Sequence, residues 1–246
     1  MLSHQDQLRR EQLAEALTRL EQRIGAACRA AGRPRQDVTL IAVTKTWPTS
    51  DVARLAELGV TDVGENRDHE ARAKAAALPG LGLRWHFVGQ VQTRKARSVA
   101  SYADVIHSVD RDALATALSA GADLAGRTVD VLIQVNVALD DDSSIMDERS
   151  SRGGVAPAGV LALAARVVAL PALRLAGCMT VAPPGQDPAR AFAALAQVAA
   201  RLQAHHRSAT VVSAGMSGDV EAAVAAGATH LRVGTALLGH RPPLLD

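Results

Sequence analysis

The feature that most constrains this chain is a rhythm: eight short runs rich in Val, Ile and Leu, separated by stretches of helical character. The runs are VTLIAVTK at 38, TDVGEN at 61, LRWHFVG at 83, DVIHSVD at 104, VDVLIQVNV at 129, LRLAGCMTV at 173, ATVVSAGMS at 209 and THLRVGTALLG at 229. Between them stand DVARLAELGV, HEARAKAAAL, RDALATALSAGADLAG, PAGVLALAARVVAL, ARAFAALAQVAARLQAH and GDVEAAVAAG, with apolar residues three and four apart; TRKARSVASYA, in the third gap, is the weakest helix of the set. Strands that alternate with helices build a parallel sheet, because each crossover must carry the chain back before the next strand starts. Eight such units predict a closed (β/α)₈ TIM barrel of the α/β class, a fold that runs to about 250 residues as one unit. The 246 residues suit one domain spanning 1–246. An open doubly wound sheet is the alternative, but no GxGxxG opens the first crossover.

Two segments stand outside the rhythm. Residues 4–31 place Leu8, Leu13, Leu17, Leu20 and Ile24 at helical spacing with charges between them, which predicts an extra N-terminal helix ended by Gly32 and Pro34. Residues 138–157, ALDDDSSIMDERSSRGGVAP, are polar, acidic at first and glycine-rich later, and predict a long poorly ordered loop after the fifth strand, the alternative being a structured lid.

Composition excludes several function classes. A net charge of +2 gives no field for nucleic acid or a membrane surface, and an aromatic content of 2% leaves no stacking platform for single strands. The start, MLSHQDQLRREQLAEAL, has no apolar stretch of signal-peptide type, and Cys28 and Cys178 lack metal-ligand spacing. The expectation is a cytoplasmic monomer without nucleic-acid or membrane partners.

In a barrel of this kind the C-terminal strand ends carry the site. Strand one ends at Lys45, an ammonium that is costly to take out of water, on the parity of Ile41 and Val43. Near apolar walls such an amine loses its charge more readily and can attack a carbonyl to give a Schiff base; a lone lysine can equally snorkel to solvent. GMSGD, with Gly215, Met216 and Ser217, and RVGT, with Gly234 and Thr235, close strands seven and eight, where such barrels often hold phosphate. Ser217 is read as the cap of the following helix. Amine and phosphate site together suggest a phosphorylated aldehyde: pyridoxal 5′-phosphate, or a sugar phosphate in a lysine-dependent aldolase.

Arg232 would fit the first by donating to a pyridine nitrogen, or else pair with a carboxylate such as Glu65. His86 is either a core histidine or part of the pocket. Asn66 and Asn136 are candidates to bond a ligand or tie loops, and Trp47, Trp85 and the lone Tyr102 read as structural.

The segments IAVTKTWP, DVGEN, LRWHFVGQVQTRKAR, IHSVDR, IQVN and VSAGMSGDVEAAVAAGATHLRVGTALLG, in this order from about residue 38 to 240, resemble the pyridoxal phosphate homeostasis proteins of YggS or PROSC type. That family is related to the N-terminal barrel of alanine racemase. The resemblance implies a fold-type III barrel with pyridoxal 5′-phosphate on Lys45 as an internal aldimine. It implies that Ser217, Gly234 and Thr235, with Met216 beside them, hold the phosphate, that Arg232 approaches the ring nitrogen, and that Asn66, His86 and Asn136 line the pocket. It further implies cofactor homeostasis and delivery to apo-enzymes without robust catalysis, the alternative being a racemase-like enzyme. Arg67 stands where the family usually has Tyr, and GQVQTRK where it usually reads GPLQSNK.

Overall fold

The computed structural model describes residues 4–137 and 153–239. Eight parallel strands close in sequence order: β1 Thr39–Val43, β2 Asp62–Glu65, β3 Arg84–Phe87, β4 Val105–Val109, β5 Val129–Gln134, β6 Leu173–Met179, β7 Val211–Ser213 and β8 His230–Val233. β8 pairs back onto β1, with Ile41 opposite Arg232, so the fold is the expected (β/α)₈ barrel and not the open sheet. Each of the eight apolar runs supplies one strand.

The helices are α1 His4–Ala30, α2 Thr49–Glu57, α3 Asp68–Ala77, α4 Ala96–Ala100, α5 Asp112–Leu124, α6 Val160–Val168, α7 Pro188–His205, α8 Val220–Ala225 and α9 Thr235–Leu238. The weak third gap yields only a 3-10 turn at Thr93–Lys95 and the short α4. The last apolar run divides at Gly234 into β8 and α9, a helix that apolar content alone did not separate from its strand. Of the polar segment 138–157, residues 138–152 lie outside the described residues. Its end is extended: Val155 bridges Val135 in parallel, its N–H donating to Gln134 O at 2.8 Å.

Strand alternation sorts side chains into two environments. Ala42, Val63, Phe87, Ile106, Ile133, Cys178, Val212 and Leu231 join the helices in one apolar layer outside the barrel. The interior is different. It holds a small apolar patch of Val105, Leu132 and Met179, together with several polar groups. Asp130 accepts from both Arg84 and Arg174, and His107 on β4 bonds Ser213 on β7. Since β4 and β7 are not neighbours in the sheet, that last bond must cross the barrel.

The N-terminal helix buttresses one side of this cylinder. Leu13, Leu20 and Ile24 are buried against α8, α9 and α2, each burial contributing about 1.5–3 kcal/mol, while Leu8 at the free end stays exposed. Two arginines of α1 reach the strand exits. Arg23 pairs with Glu221 and donates to Ser217 O at 2.6 Å; Arg9 pairs with Asp51, donates to Leu238 O at 3.1 Å and lies 4.6 Å over the Trp47 ring.

Candidate functional site

The exits of β7, β8 and β1 meet at the C-terminal mouth. A Cβ built on Gly234 would lie 3.3 Å from Val43 O, so the chain leaving β8 runs directly against the end of β1, two residues before Lys45. Gly215, in the β7 exit, has φ +90 and is packed so closely that a Cβ would meet Ala223 Cβ at 2.5 Å. Only glycine adopts this turn without strain and leaves room for α8 beneath it. The turn delivers Ser217 to the β8 exit, where its Oγ accepts the Ala236 N–H at 3.2 Å. This corrects the reading of Ser217 as the cap of the next helix. Asp219 is the N-cap residue of α8, its carboxylate accepting the Met216 N–H instead. Ser217, Gly234 and Thr235 therefore form one cluster, with Thr235 and Met216 exposed at its rim.

Lys45 lies beyond β1, in an exposed turn, so strand parity does not extend to it and apolar walls do not enclose it. The turn is unusual: Thr46 has φ +69, the only positive φ at a non-glycine among the described residues. Its backbone is held from α3. Lys74 Nζ donates to Thr44 O at 2.8 Å, and Glu70 Oε1 accepts the Thr46 N–H at 2.5 Å. Lys74 also pairs with Glu65 and Glu70, both at 2.7 Å, and Glu65 accepts the Thr44 hydroxyl at 2.6 Å. Burial pushes the Glu65 carboxyl above its ordinary pKa, against the pull of Lys74 and Thr44. This arrangement removes Glu65 as a partner for Arg232: the two residues face opposite sides of the barrel wall.

Arg232 forms the floor of the mouth. Its guanidinium donates to Ser213 Oγ at 2.6 Å and to Thr180 O at 2.8 Å, two neutral acceptors. Burial pushes its pKa down to about 10, which still leaves it charged at neutral pH. From Ser213 the hydrogen bonds continue to His107 Nδ1 at 3.0 Å, from His107 Nε2 to His86 Nδ1 at 2.9 Å, and from His86 Nε2 to Asp62 Oδ1 at 2.8 Å.

The end groups fix every proton in this line. An ionised Asp62 can only accept, so neutral His86 donates to it from Nε2 and accepts on Nδ1, neutral His107 does the same towards His86, and the Ser213 hydroxyl, which accepts from Arg232, donates to Nδ1 of His107. Both imidazoles are neutral. Burial lowers the pKa of His86, against the pull of Asp62, and holds that of His107 well below its ordinary value, with the charge of Arg232 acting in the same direction. Burial also works against the Asp62 carboxylate, but hydrogen bonds from His86 and Thr61 outweigh it and hold its pKa below the ordinary value.

His86 is thus an interior residue with both ring nitrogens engaged by the protein, supporting Arg232 from below. His107 and Ser213 were absent from the sequence-based candidates, because they lie inside strand runs and come together only when the barrel closes.

Asn66 stands beside the β1 exit, and Asn136, beyond β5, stands across the mouth from it. Asn66 follows β2, and its Oδ1 is buried with no hydrogen-bond partner among the described residues, an acceptor that a ligand donor could satisfy. Gly89 makes room for it, since a Cβ there would lie 2.7–2.9 Å from Asn66 atoms. Asn136 lines a cavity of about 330 Å³ with Gln90, Gln134, Met179, Val181 and Pro183. Gln90 belongs to the GQVQTRK departure, which therefore reaches the pocket edge; Arg67 is exposed at the start of α3. Tyr102 precedes β4 and is packed against the core outside the barrel, its hydroxyl buried.

Comparison with known proteins agrees with this geometry. Residues 16–242 match the family described as alanine racemase, N-terminal domain. The pyridoxal phosphate homeostasis protein of Corynebacterium glutamicum is 42% identical over 228 residues, covering 91% of this chain and 99% of the relative. The protein of the same name from Escherichia coli K12 is 36% identical over 235 residues, covering 93% and 97%. Among solved structures, PipY of Synechococcus elongatus with PLP bound superposes with a TM-score of 0.76 at 35% identity, covering 92% of this chain and all of that one.

Proposed function

This chain belongs to the pyridoxal phosphate homeostasis proteins built on the alanine racemase N-terminal barrel, and from that premise we propose that it holds pyridoxal 5′-phosphate on Lys45 and passes it to apo-enzymes, working as a cytoplasmic monomer without robust turnover. The observation that carries the reading is the meeting of three strand exits at one mouth: Lys45 after β1, Ser217 after β7, and Gly234 and Thr235 after β8, with Arg232 as the floor.

When bound, pyridoxal 5′-phosphate supplies an aldehyde that condenses with a primary amine with loss of one water. The residues fit such a group. The Ser217 hydroxyl and the backbone of the Gly234–Thr235 turn offer neutral donors for a phosphate, with Met216 at the rim. Asn66 brings an unpartnered acceptor, and Asn136 closes the far side. Arg232 keeps its proton at neutral pH, so it would donate to a ring nitrogen of the bound group and leave that nitrogen unprotonated. An unprotonated ring withdraws electrons weakly, which favours storage over carbanion chemistry. Two-base racemisation needs a second proton donor over the mouth, and the only tyrosine of the chain, Tyr102, is packed against the core outside the barrel with its hydroxyl buried. The buried free thiols of Cys28 and Cys178 suit a reducing compartment.

The test is borohydride reduction of protein mixed with pyridoxal 5′-phosphate, followed by peptide mapping. Wild type should carry the reduced adduct at Lys45 and Lys45→Ala should carry none there or elsewhere in the mouth; equal labelling of the variant would refute the assignment. Exchange of amino-acid α-protons into D₂O no faster than with free cofactor separates this reading from racemase activity.

A further inference from the structure

Lys45 is a long amine on an exposed turn, and by itself nothing about such a turn directs it. Lysine carries about 2 kcal/mol of rotamer entropy, and an unrestrained backbone adds about 1–2 kcal/mol per residue. The structure nevertheless fixes both peptide groups that flank it. The carbonyl on the N-terminal side, Thr44 O, accepts from Lys74 Nζ at 2.8 Å, and the N–H on the C-terminal side, that of Thr46, donates to Glu70 Oε1 at 2.5 Å. The two clamping side chains also grip one another at 2.7 Å, and Glu65, 2.7 Å from Lys74, anchors the pair to the end of β2.

This cluster is a poor way to gain stability. Lys74 is 3% exposed and Glu65 1%, and burying charges of this kind costs about as much as their attraction returns. One carboxylate oxygen, Glu65 Oε2, is buried with no partner among the described residues. The turn it holds includes Thr46 at φ +69, a conformation that costs a non-glycine residue about 1 kcal/mol or more and persists only where neighbours over-determine it. A costly cluster that maintains a strained turn around one particular residue points to presentation of that residue.

We propose that Glu70 and Lys74, anchored by Glu65, are positioning residues for Lys45: they lock the peptide groups on either side of it so that its amine is held at the mouth for attachment to an aldehyde. The proposal rests on Lys45 being the attachment point. It concerns how fast the bond forms, and leaves the grip on the phosphate and ring to other residues.

The test uses full-length protein freed of cofactor, with two variants of the partly exposed Glu70. Glu70→Asp keeps the charge but withdraws the carboxylate by one methylene from the Thr46 N–H; Glu70→Gln keeps the reach and loses the charge. Attachment of pyridoxal 5′-phosphate is followed by its absorbance change in a stopped-flow mixer. Affinity for pyridoxine 5′-phosphate, which lacks the aldehyde, is measured separately.

Glu70→Asp should slow attachment by about 10- to 100-fold, the scale expected for a misplacement of about 1 Å. Glu70→Gln should stay within a few-fold of wild type, and both should bind pyridoxine 5′-phosphate within about twofold of it. A folded Glu70→Asp protein that attaches at the wild-type rate overturns the proposal, and so does a loss of pyridoxine 5′-phosphate binding that accounts for the slower rate. Wild type is the internal control: failure to label Lys45 there would sink the assignment of the attachment site, whereas normal labelling there with an unaltered Glu70→Asp rate sinks only the clamp.

Discussion

The buried histidines make a sharp prediction about acid. His230, at the start of β8, is held neutral because burial, helped by the charge of Arg84, pushes its pKa down to about 4, with Asp62 opposing. In the unfolded chain it takes up a proton near the model-peptide value of 6.5. Between these values the unfolded state binds more protons than the folded one, so stability is fully present above pH 6.5 and is lost as pH falls. At about 1.4 kcal/mol per unit over roughly two and a half units, His230 alone removes about 3 kcal/mol by pH 4. That is a large share of a net stability of about 5–15 kcal/mol. His86 and His107, whose pKa values are lowered too, steepen the fall in the same direction. The perturbation is His230→Asn, read by urea unfolding at pH 8, 7, 6 and 5. The variant should lose stability less steeply than wild type below pH 6, by about 1.4 kcal/mol per unit. Parallel curves would mean that His230 titrates alike in both states and would refute the reasoning.

Two further outcomes follow from the same interior. Ser213→Ala and His107→Phe both break the bond that crosses the barrel beneath Arg232, so their destabilisations, each measured by urea unfolding, should fall short of additivity by about 0.5–3 kcal/mol in the double variant; additive losses would show that the line from Arg232 to Asp62 is not one unit. Gly177 of β6 pairs with Val211 of β7, and Gly177→Ala should cost at least about 3 kcal/mol because its Cβ would collide with Val211 O, whereas Gly126→Ala, at φ +63 with nothing within 4 Å, should cost only about 1 kcal/mol; equal shifts in Tm would contradict that close pairing.

The barrel was legible because its signal is local. Each strand is a short apolar run and each crossover an amphipathic segment, so counting to eight gave the architecture, and the residue ending each run marked the mouth. That rule singled out Lys45, Arg232, Ser217 and Gly234 as candidates, and the fold brings their strand exits together. What escaped is held by closure. Asp62, His86, His107, Ser213 and Arg232 come from five different strands, and strand parity cannot say which side chain crosses to which. Glu70 and Lys74 look in the sequence like an ordinary surface pair four apart on a helix; only the docking of the β1 exit against α3 buries Lys74. Ser217 was misplaced for a simpler reason. Ser217 and Asp219 are both good caps two residues apart, and the nearer one to α8 took the position.

The choice of partners around Arg232 explains why so polar an interior is kept. A carboxylate against the guanidinium would neutralise it and compete with any ligand above. Ser213 and the Thr180 carbonyl hold it without neutralising it, and the matching negative charge of Asp62 stands at the far end of a line of two neutral imidazoles. Glu65, the carboxylate within reach by sequence, is turned to the other side of the wall and occupied by Lys74. The barrel thereby separates two electrostatic tasks. One buried cluster fixes the backbone on either side of Lys45, and one interior line supports a cation whose charge remains directed at the mouth.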